Sequence, residues 1–182
     1  MSAEIHIEKL ESDRATTLKP QLIGLLSHIV DGGSSVGFLR PLSLHLCTQY
    51  WTDVIDAVAA DQKILLVALL GDQVVGSVQA EPCSKHNGRH RAEIQKLMVL
   101  NTHRKRGIAR KLMQAIEQSV INSGYSTLYL DTVTGSPAEQ AYLQLGWTRS
   151  GSIPNYAVSP DGEMESTTVF YKLLNQISER AA

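Results

Sequence analysis

Four cations, Arg104, Lys105, Arg106 and Arg110, crowd into a short stretch of a chain whose net charge is only −1. They follow an apolar run that ends at Leu100, and they lead into Ile108, Leu112, Ile116 and Val120, apolar residues that recur every four positions. That change of period marks a strand giving way to a helix. The first amides of a helix have no intrahelical acceptor, and the aligned peptide dipoles favour an anion at that end. Cations there oppose the dipole and are stabilised once a phosphate arrives. Gly107 and Ala109 keep side-chain bulk off the amides. The spacing predicts a helix that begins near Arg104 and carries a diphosphate cradle made by Arg104, Lys105, Arg106, Gly107, Ile108, Ala109 and Arg110. Other phosphate patterns do not fit. GxxxxGK[ST] is absent, and "GGSSVG" (Gly32 to Gly37) has the wrong spacing for GxGxxG and follows a helix rather than a strand.

The elements that must hold this junction can be read from periodicity. "EIHIEKL" alternates as a first strand, and Ser12 or Asp13 can cap a helix carrying Leu18, Leu22, Leu25, Leu26 and Ile29. Pro41 stands where a second helix can begin, with Leu46, Tyr50, Trp51, Val54, Ile55 and Val58 along one side. "KILLVALL" and "VVGSVQAE" around "GDQ" read as an antiparallel hairpin, and "RAEIQKLMVL" as a further strand. A helix to about Gly124, the strand "STLYLDT" and the short helix "SPAEQAYLQLG" follow. "WTRSGSI" and "TTVFYKLL" are two last strands around a loop, "PNYAVSPDGEMES". The fold class is therefore mixed α/β, with a mainly antiparallel sheet and one strand–helix–strand crossover. A single domain over 1–174 and a frayed tail over 175–182 are expected.

Composition narrows the partners. With 43% hydrophobic and 19% charged residues the chain is globular. Its near-neutral charge argues against nucleic acid or an anionic membrane. The longest apolar run, "ILLVALL", is too short to cross a bilayer, and the mixed acidic N-terminus shows no signal region, so a cytoplasmic protein is expected. Cys47 and Cys83 are read as core or half-buried thiols. His86 and His90 flank Asn87 and Gly88 in a loop, so no metal site is expected.

The residues "RKRGIA" (Arg104 to Ala109) resemble the [Q/R]-x-x-G-x-[G/A] signature of GNAT-superfamily N-acetyltransferases. "GSPAEQAYLQLGW" is similar to a second pattern of that family, keeping Ala138, Tyr142 and Gly146, with Gly135 where Asn is usual. "DGGSSVGF", "RAEIQKLMVL", "LDTVTGS" and "PNYAVSPDG" resemble segments of the tabtoxin-resistance acetyltransferases, which inactivate a β-lactam toxin. The resemblance implies a GNAT acyl-CoA N-acyltransferase fold, a predominantly antiparallel seven-stranded sheet with about four helices. It implies acetyl-CoA as co-substrate, with no metal. It also implies that Leu97, Met98 and Val99 offer backbone groups to the pantetheine arm, and that Tyr142 lies near the cofactor sulfur.

Acetyl transfer to an alkylammonium, whose pKa is about 10 as for Lys, needs a proton acceptor. Glu93, on the strand before the cradle, and Asp131, at the end of the next strand, are the available carboxylates and match the positions of the base in the resembling group. Which of the two is the base stays open. The expected acceptor is a small amine, such as tabtoxinine-β-lactam or another amino-acid-like compound, with "DGGSSVGF" shaping its side of the cleft. A lysine or N-terminal protein acetyltransferase and a non-catalytic acyl-CoA-binding module are the alternatives. A homodimer is compatible with the sequence.

Overall fold

The computed structural model describes residues 4–34 and 36–174. In chain order the elements are β1 (Ile5–Lys9), α1 (Ser12–Asp31), α2 (Leu44–Ala59), β2 (Ile64–Leu70), β3 (Gln73–Pro82), β4 (Arg91–Val99), α3 (Ile108–Asn122), β5 (Thr127–Val133), α4 (Pro137–Gln144), β6 (Thr148–Val158) and β7 (Met164–Leu173). The seven strands form one sheet in the order β1-β2-β3-β4-β5-β7-β6. Every neighbouring pair is antiparallel except β4 with β5, whose crossover is α3. This is the order and the fold class that the periodicities predict. Ser35 of the glycine segment and the tail read at 175–182 lie outside the described residues.

Both faces of the sheet are covered, so β2 and β3 are buried almost continuously instead of alternating. On β2, Ile64, Leu66 and Ala68 pack with Leu112, Met113, Ile116 and Val120 of α3. Leu65, Val67 and Leu69 turn to the opposite face, where Leu22, Leu25 and Leu26 of α1 meet Trp51, Val54 and Ile55 of α2. Each fully buried aliphatic side chain here contributes about 1.5–3 kcal/mol relative to exposure. The central strands are thereby clamped between two apolar layers, and the site is carried on them.

Several boundaries differ from the sequence expectations. The N-cap of α1 is Glu11, not Ser12 or Asp13. Leu10 is buried and donates its amide to the Leu65 carbonyl, so the strand ladder runs on to the residue just before the cap. Helix α2 starts at Leu44 rather than at Pro41, because Ser43 caps it by accepting from the Leu46 amide at 3.2 Å. The loop expected between the last two strands is mostly strand, since β6 runs through Val158 and β7 begins at Met164. A register irregularity between Ile153 and Ala157 takes up Pro154 and the left-handed Asn155. Pro is tolerated there because β6 is an edge strand.

Candidate active site

Strands β4 and β5 are parallel neighbours for only three residues, Arg91 to Glu93 against Thr127 to Tyr129. Beyond Glu93 they part, β4 staying with β3 as far as Val99 and β5 with β7 as far as Val133. The result is a wedge whose β4 edge has no strand partner. The register of β4 on β3 also slips between Ser77 and Gln79, so Lys96 and Leu97 together oppose Val78. This is a β-bulge, and Lys96 takes a left-handed φ of +52° within it. Leu100 donates to the Val75 carbonyl at 2.9 Å. Backbone groups alternate edges along a strand, so those of Val99 face the wedge and those of Met98 face β3. Met98 is also buried in the α1/α2 layer, whereas Leu97 and Val99 are half-buried beside the open edge.

At the mouth of the wedge the chain leaves β4 through a 3₁₀ turn, Asn101–His103, and α3 begins at Ile108, four residues later than the spacing predicts. Lys105 and Gly107 have φ of +61° and +75°, conformations that no right-handed helix admits. Arg104, Lys105 and Arg106 therefore line the approach loop, and Arg110 is in the first turn. All four are exposed, and none pairs with a carboxylate among the described residues. Lys111 donates back to the Gly107 carbonyl at 3.0 Å, leaving the amides of Ile108, Ala109 and Arg110 without an intrahelical acceptor. A Cβ built on Gly107 would meet no protein atom within 4 Å. The glycine is required by its backbone angle, and the space above it is open to a ligand. Left-handed residues interspersed in such a loop, ahead of a helix start, form an anion-binding concavity. Diphosphate oxygens fit this donor set.

Glu93 and Asp131 come together on one face of the sheet, the face that α2 covers. Glu93 Oε2 accepts from the Tyr129 hydroxyl at 3.3 Å, and it forms no ion pair with Arg91 or Lys96. Asp131 is exposed, and Thr167 Oγ1 lies 2.7 Å from its Oδ2. The same hydroxyl is 2.9 Å from the Thr132 carbonyl, so its proton is shared between the two acceptors. Both carboxylates exert a charge effect on Lys96 that favours its protonated form. Burial acts more strongly and holds the Lys96 ammonium below the usual lysine range, and Lys63 adds to this. The α1–α2 loop reaches over this face. Phe38 lies against Lys96, and Arg40 pairs with Asp161 in the β6–β7 turn.

On α4, Tyr142 is 8% exposed and packs obliquely on Trp147 and Phe170, with ring centroids 6.0 and 5.8 Å away. Burial, and then Asp131, pushes its phenol up to about 12. Gly146, left-handed at +80°, ends the helix and lets Trp147 return its amide to the Tyr142 carbonyl. Glu117 of α3 accepts from Trp147 Nε1 at 3.0 Å and from Lys172 Nζ at 2.8 Å, and Lys172 also caps the Leu145 carbonyl. These bonds fix α4 against the crossover helix. The open wedge, Lys96, Tyr129 and Thr167 escape sequence reasoning. A lysine inside an apolar strand was the one available sign.

The profile of the acetyltransferase (GNAT) family matches residues 35–147. Rat N-acetyltransferase 8B is 36% identical over 87 residues, which are 47% of this chain and 39% of that protein. The chain therefore spans about two fifths of the length of the curated relatives it first matches. An uncharacterised N-acetyltransferase from Azospirillum brasilense is 25% identical over 130 residues, 70% of this chain and 75% of its own. The Salmonella typhimurium protein yncA, solved with its cofactor acetyl-CoA, superposes with a TM-score of 0.75 at 17% identity. That superposition covers 98% of this chain and 97% of the other, and it shows a common fold.

Proposed function

Because the chain belongs to the acetyltransferase (GNAT) family, we propose that it moves the acetyl group of acetyl-CoA directly to a primary amine of a small molecule. The observation that carries this reading is the conjunction of the split between β4 and β5 with the bare amides at the start of α3. Acetyl-CoA supplies an activated acetyl thioester. Arg104, Lys105, Arg106 and Arg110 surround its diphosphate with positive charge, and the amides from Gly107 to Arg110 donate to it. The β4 edge at Leu97 and Val99 offers backbone groups to the pantetheine arm. In this reading the Val99 amide on this edge polarises the thioester carbonyl.

Glu93 takes the proton of the acceptor ammonium. It stands at the vertex of the wedge, and its only hydrogen bond among the described residues is the single one from Tyr129. Asp131, held by Thr167, keeps the ammonium near the cleft by charge. Tyr142 remains protonated at neutral pH. With its phenol at about 12 and a thiol near 8.5, full proton transfer to the leaving sulfur is uphill by about 5 kcal/mol. The phenol therefore acts there as a hydrogen-bond donor to the departing sulfur, and CoA leaves as the thiolate and takes its proton from solvent.

The finer reading of the acceptor, tabtoxinine-β-lactam or another amino-acid-like compound, is supported by the sequence resemblance of "DGGSSVGF" and "PNYAVSPDG" and by the pairing of Arg40, in the α1–α2 loop, with Asp161 in the β6–β7 turn. The test follows free-thiol release from acetyl-CoA across amino acids, polyamines, amino-sugar antibiotics and peptides. Turnover on small amines is expected. Turnover on peptides alone would replace this reading with a protein acetyltransferase, and thermal stabilisation by acetyl-CoA without turnover would replace it with a binding module.

A further inference from the structure

The face of the wedge under α2 holds donors that lack acceptors. Gln79 is wholly buried. Its Oε1 accepts from the Tyr50 hydroxyl at 3.1 Å, but its Nε2 has no partner. The same Tyr50 ring lies 5.7 Å from the Lys96 ammonium, and the Phe38 ring lies 5.8 Å from it. No carboxylate among the described residues is within ion-pair distance of Lys96. The neighbouring cation, Lys63, is already engaged, with Glu81 at 2.8 Å and Gln95 at 3.4 Å.

The lysine is also held at a cost. A left-handed φ of +52° on a non-glycine residue in mid-strand is strained by about 1–3 kcal/mol, and such strain tends to persist where it serves a site. Here the bulge turns the side chain toward the aromatic pair and under the α1–α2 loop. A Cβ on Gly37, whose φ is +84°, would come within 3.3 Å of Lys96 Nζ, so the α1–α2 loop passes close to the ammonium. A half-buried ammonium and a buried amide N–H both call for an acceptor, and buried donors left without one are expensive. Glu93 and Asp131 lie across the same face and supply the opposite charge.

We propose that Lys96, with Gln79 joined to it through Tyr50, is a carboxylate-binding subsite of the acceptor pocket, so that the acceptor is an amine that also carries a carboxylate. This deepens the acetyl-transfer reading and rests on it. Amine and carboxylate of one molecule are taken by opposite charges, the ammonium by Glu93 and Asp131 and the carboxylate by Lys96. Both rings keep water from the ion pair, and Tyr50 orients the Gln79 amide. Lys96 is a specificity residue here and takes no part in bond making.

The experiment compares amino acids with their primary carboxamides at equal concentrations of free amine, using 4-aminobutyrate, L-lysine and the common α-amino acids. Thiol release from acetyl-CoA gives kcat/KM for each pair. In parallel, calorimetric titration of the CoA-saturated protein measures binding of the same compounds. One charge-assisted hydrogen bond in a buried site predicts an acid-to-amide preference of about 10- to 100-fold in the parent. In Lys96→Met, which keeps the apolar stem between the rings, this ratio collapses toward one through KM, whereas Lys96→Arg retains part of it. Turnover with equal rates on acids and amides keeps the acetyl transfer and overturns the subsite. Lys96-dependent binding of acids without turnover keeps the subsite and overturns the transfer. If Lys96→Met does not fold, the parent and Lys96→Arg ratios decide alone, and a parent ratio near one overturns the subsite.

Discussion

Gly107 lets the proposed cradle be tested apart from the rest of the fold. Its φ of +75° disfavours any side chain, yet a Cβ there would touch no protein atom within 4 Å. Gly107→Ala therefore carries only the left-handed backbone penalty of about 1 kcal/mol, which corresponds to a fall in Tm of about 2–4 °C for a chain of this size. Gly107→Glu carries the same folding cost, because its side chain also leaves into open space. It sets a negative charge beside the amides of Ile108, Ala109 and Arg110. Losing two charge-assisted hydrogen bonds to a phosphate, at about 1.5–3 kcal/mol each, weakens binding by about 100-fold or more. Calorimetric titration with CoA measures that loss, and S-acetylpantetheine, which lacks the diphosphate, is the control. The expected result is a steep loss for CoA in Gly107→Glu, with thiol release from S-acetylpantetheine close to that of the parent. Equal losses on both donors, or an unchanged affinity for CoA, would refute the cradle.

Glu93→Gln should lower turnover by about 100-fold or more near neutral pH while leaving CoA affinity intact, as removal of a general base does. A pH–rate profile matching the parent's, or a larger loss in Asp131→Asn, would move the base to the other strand. Tyr142→Phe should slow the reaction without loss of structure, and an undiminished rate would reduce Tyr142 to packing. Because the folded state raises this phenol from 10.0 to about 12, its protonated form is favoured on folding. The stability it lends is intact below pH 10 and falls as pH rises toward 12. Urea unfolding should find the parent losing about 1.3 kcal/mol between pH 9 and 11 that Tyr142→Phe does not lose. Glu117→Ala strands both Trp147 Nε1 and Lys172 Nζ. A cost of about 2–3 kcal/mol is expected from urea unfolding, since Lys172 keeps the Leu145 carbonyl and some water.

The order of strands and helices was legible because each element keeps one period long enough to be read. Leu112, Ile116 and Val120 mark α3, and the two-residue turn at Gly71 and Asp72 sets the β2–β3 hairpin. The gathering of cations just ahead of α3 was legible from charge at a change of period, but the residue where the helix starts was not. Lys105 gives no sign in sequence that it is left-handed, so Arg104 to Arg106 read as a first turn instead of an approach loop. The length of β6 was hidden because almost every residue in it is exposed and no alternation survives. The wedge and the bulge at Lys96 arise from where β4 and β5 cease to pair, a relation between distant segments that no local pattern carries. Sequence therefore pointed to Glu93, Asp131 and the cations before α3 as candidates, whereas the lysine, the paired aromatic rings and the orphaned amide of Gln79 required the sheet to be assembled.

Amide hydrogen exchange with and without acetyl-CoA tests the central claim most directly. Binding between the α3 start and the split strands predicts slowed exchange over 104–111 and along 97–100, with the exposed β6 edge unaffected. Slowed exchange confined to other segments, or none at saturating acetyl-CoA, would contradict it.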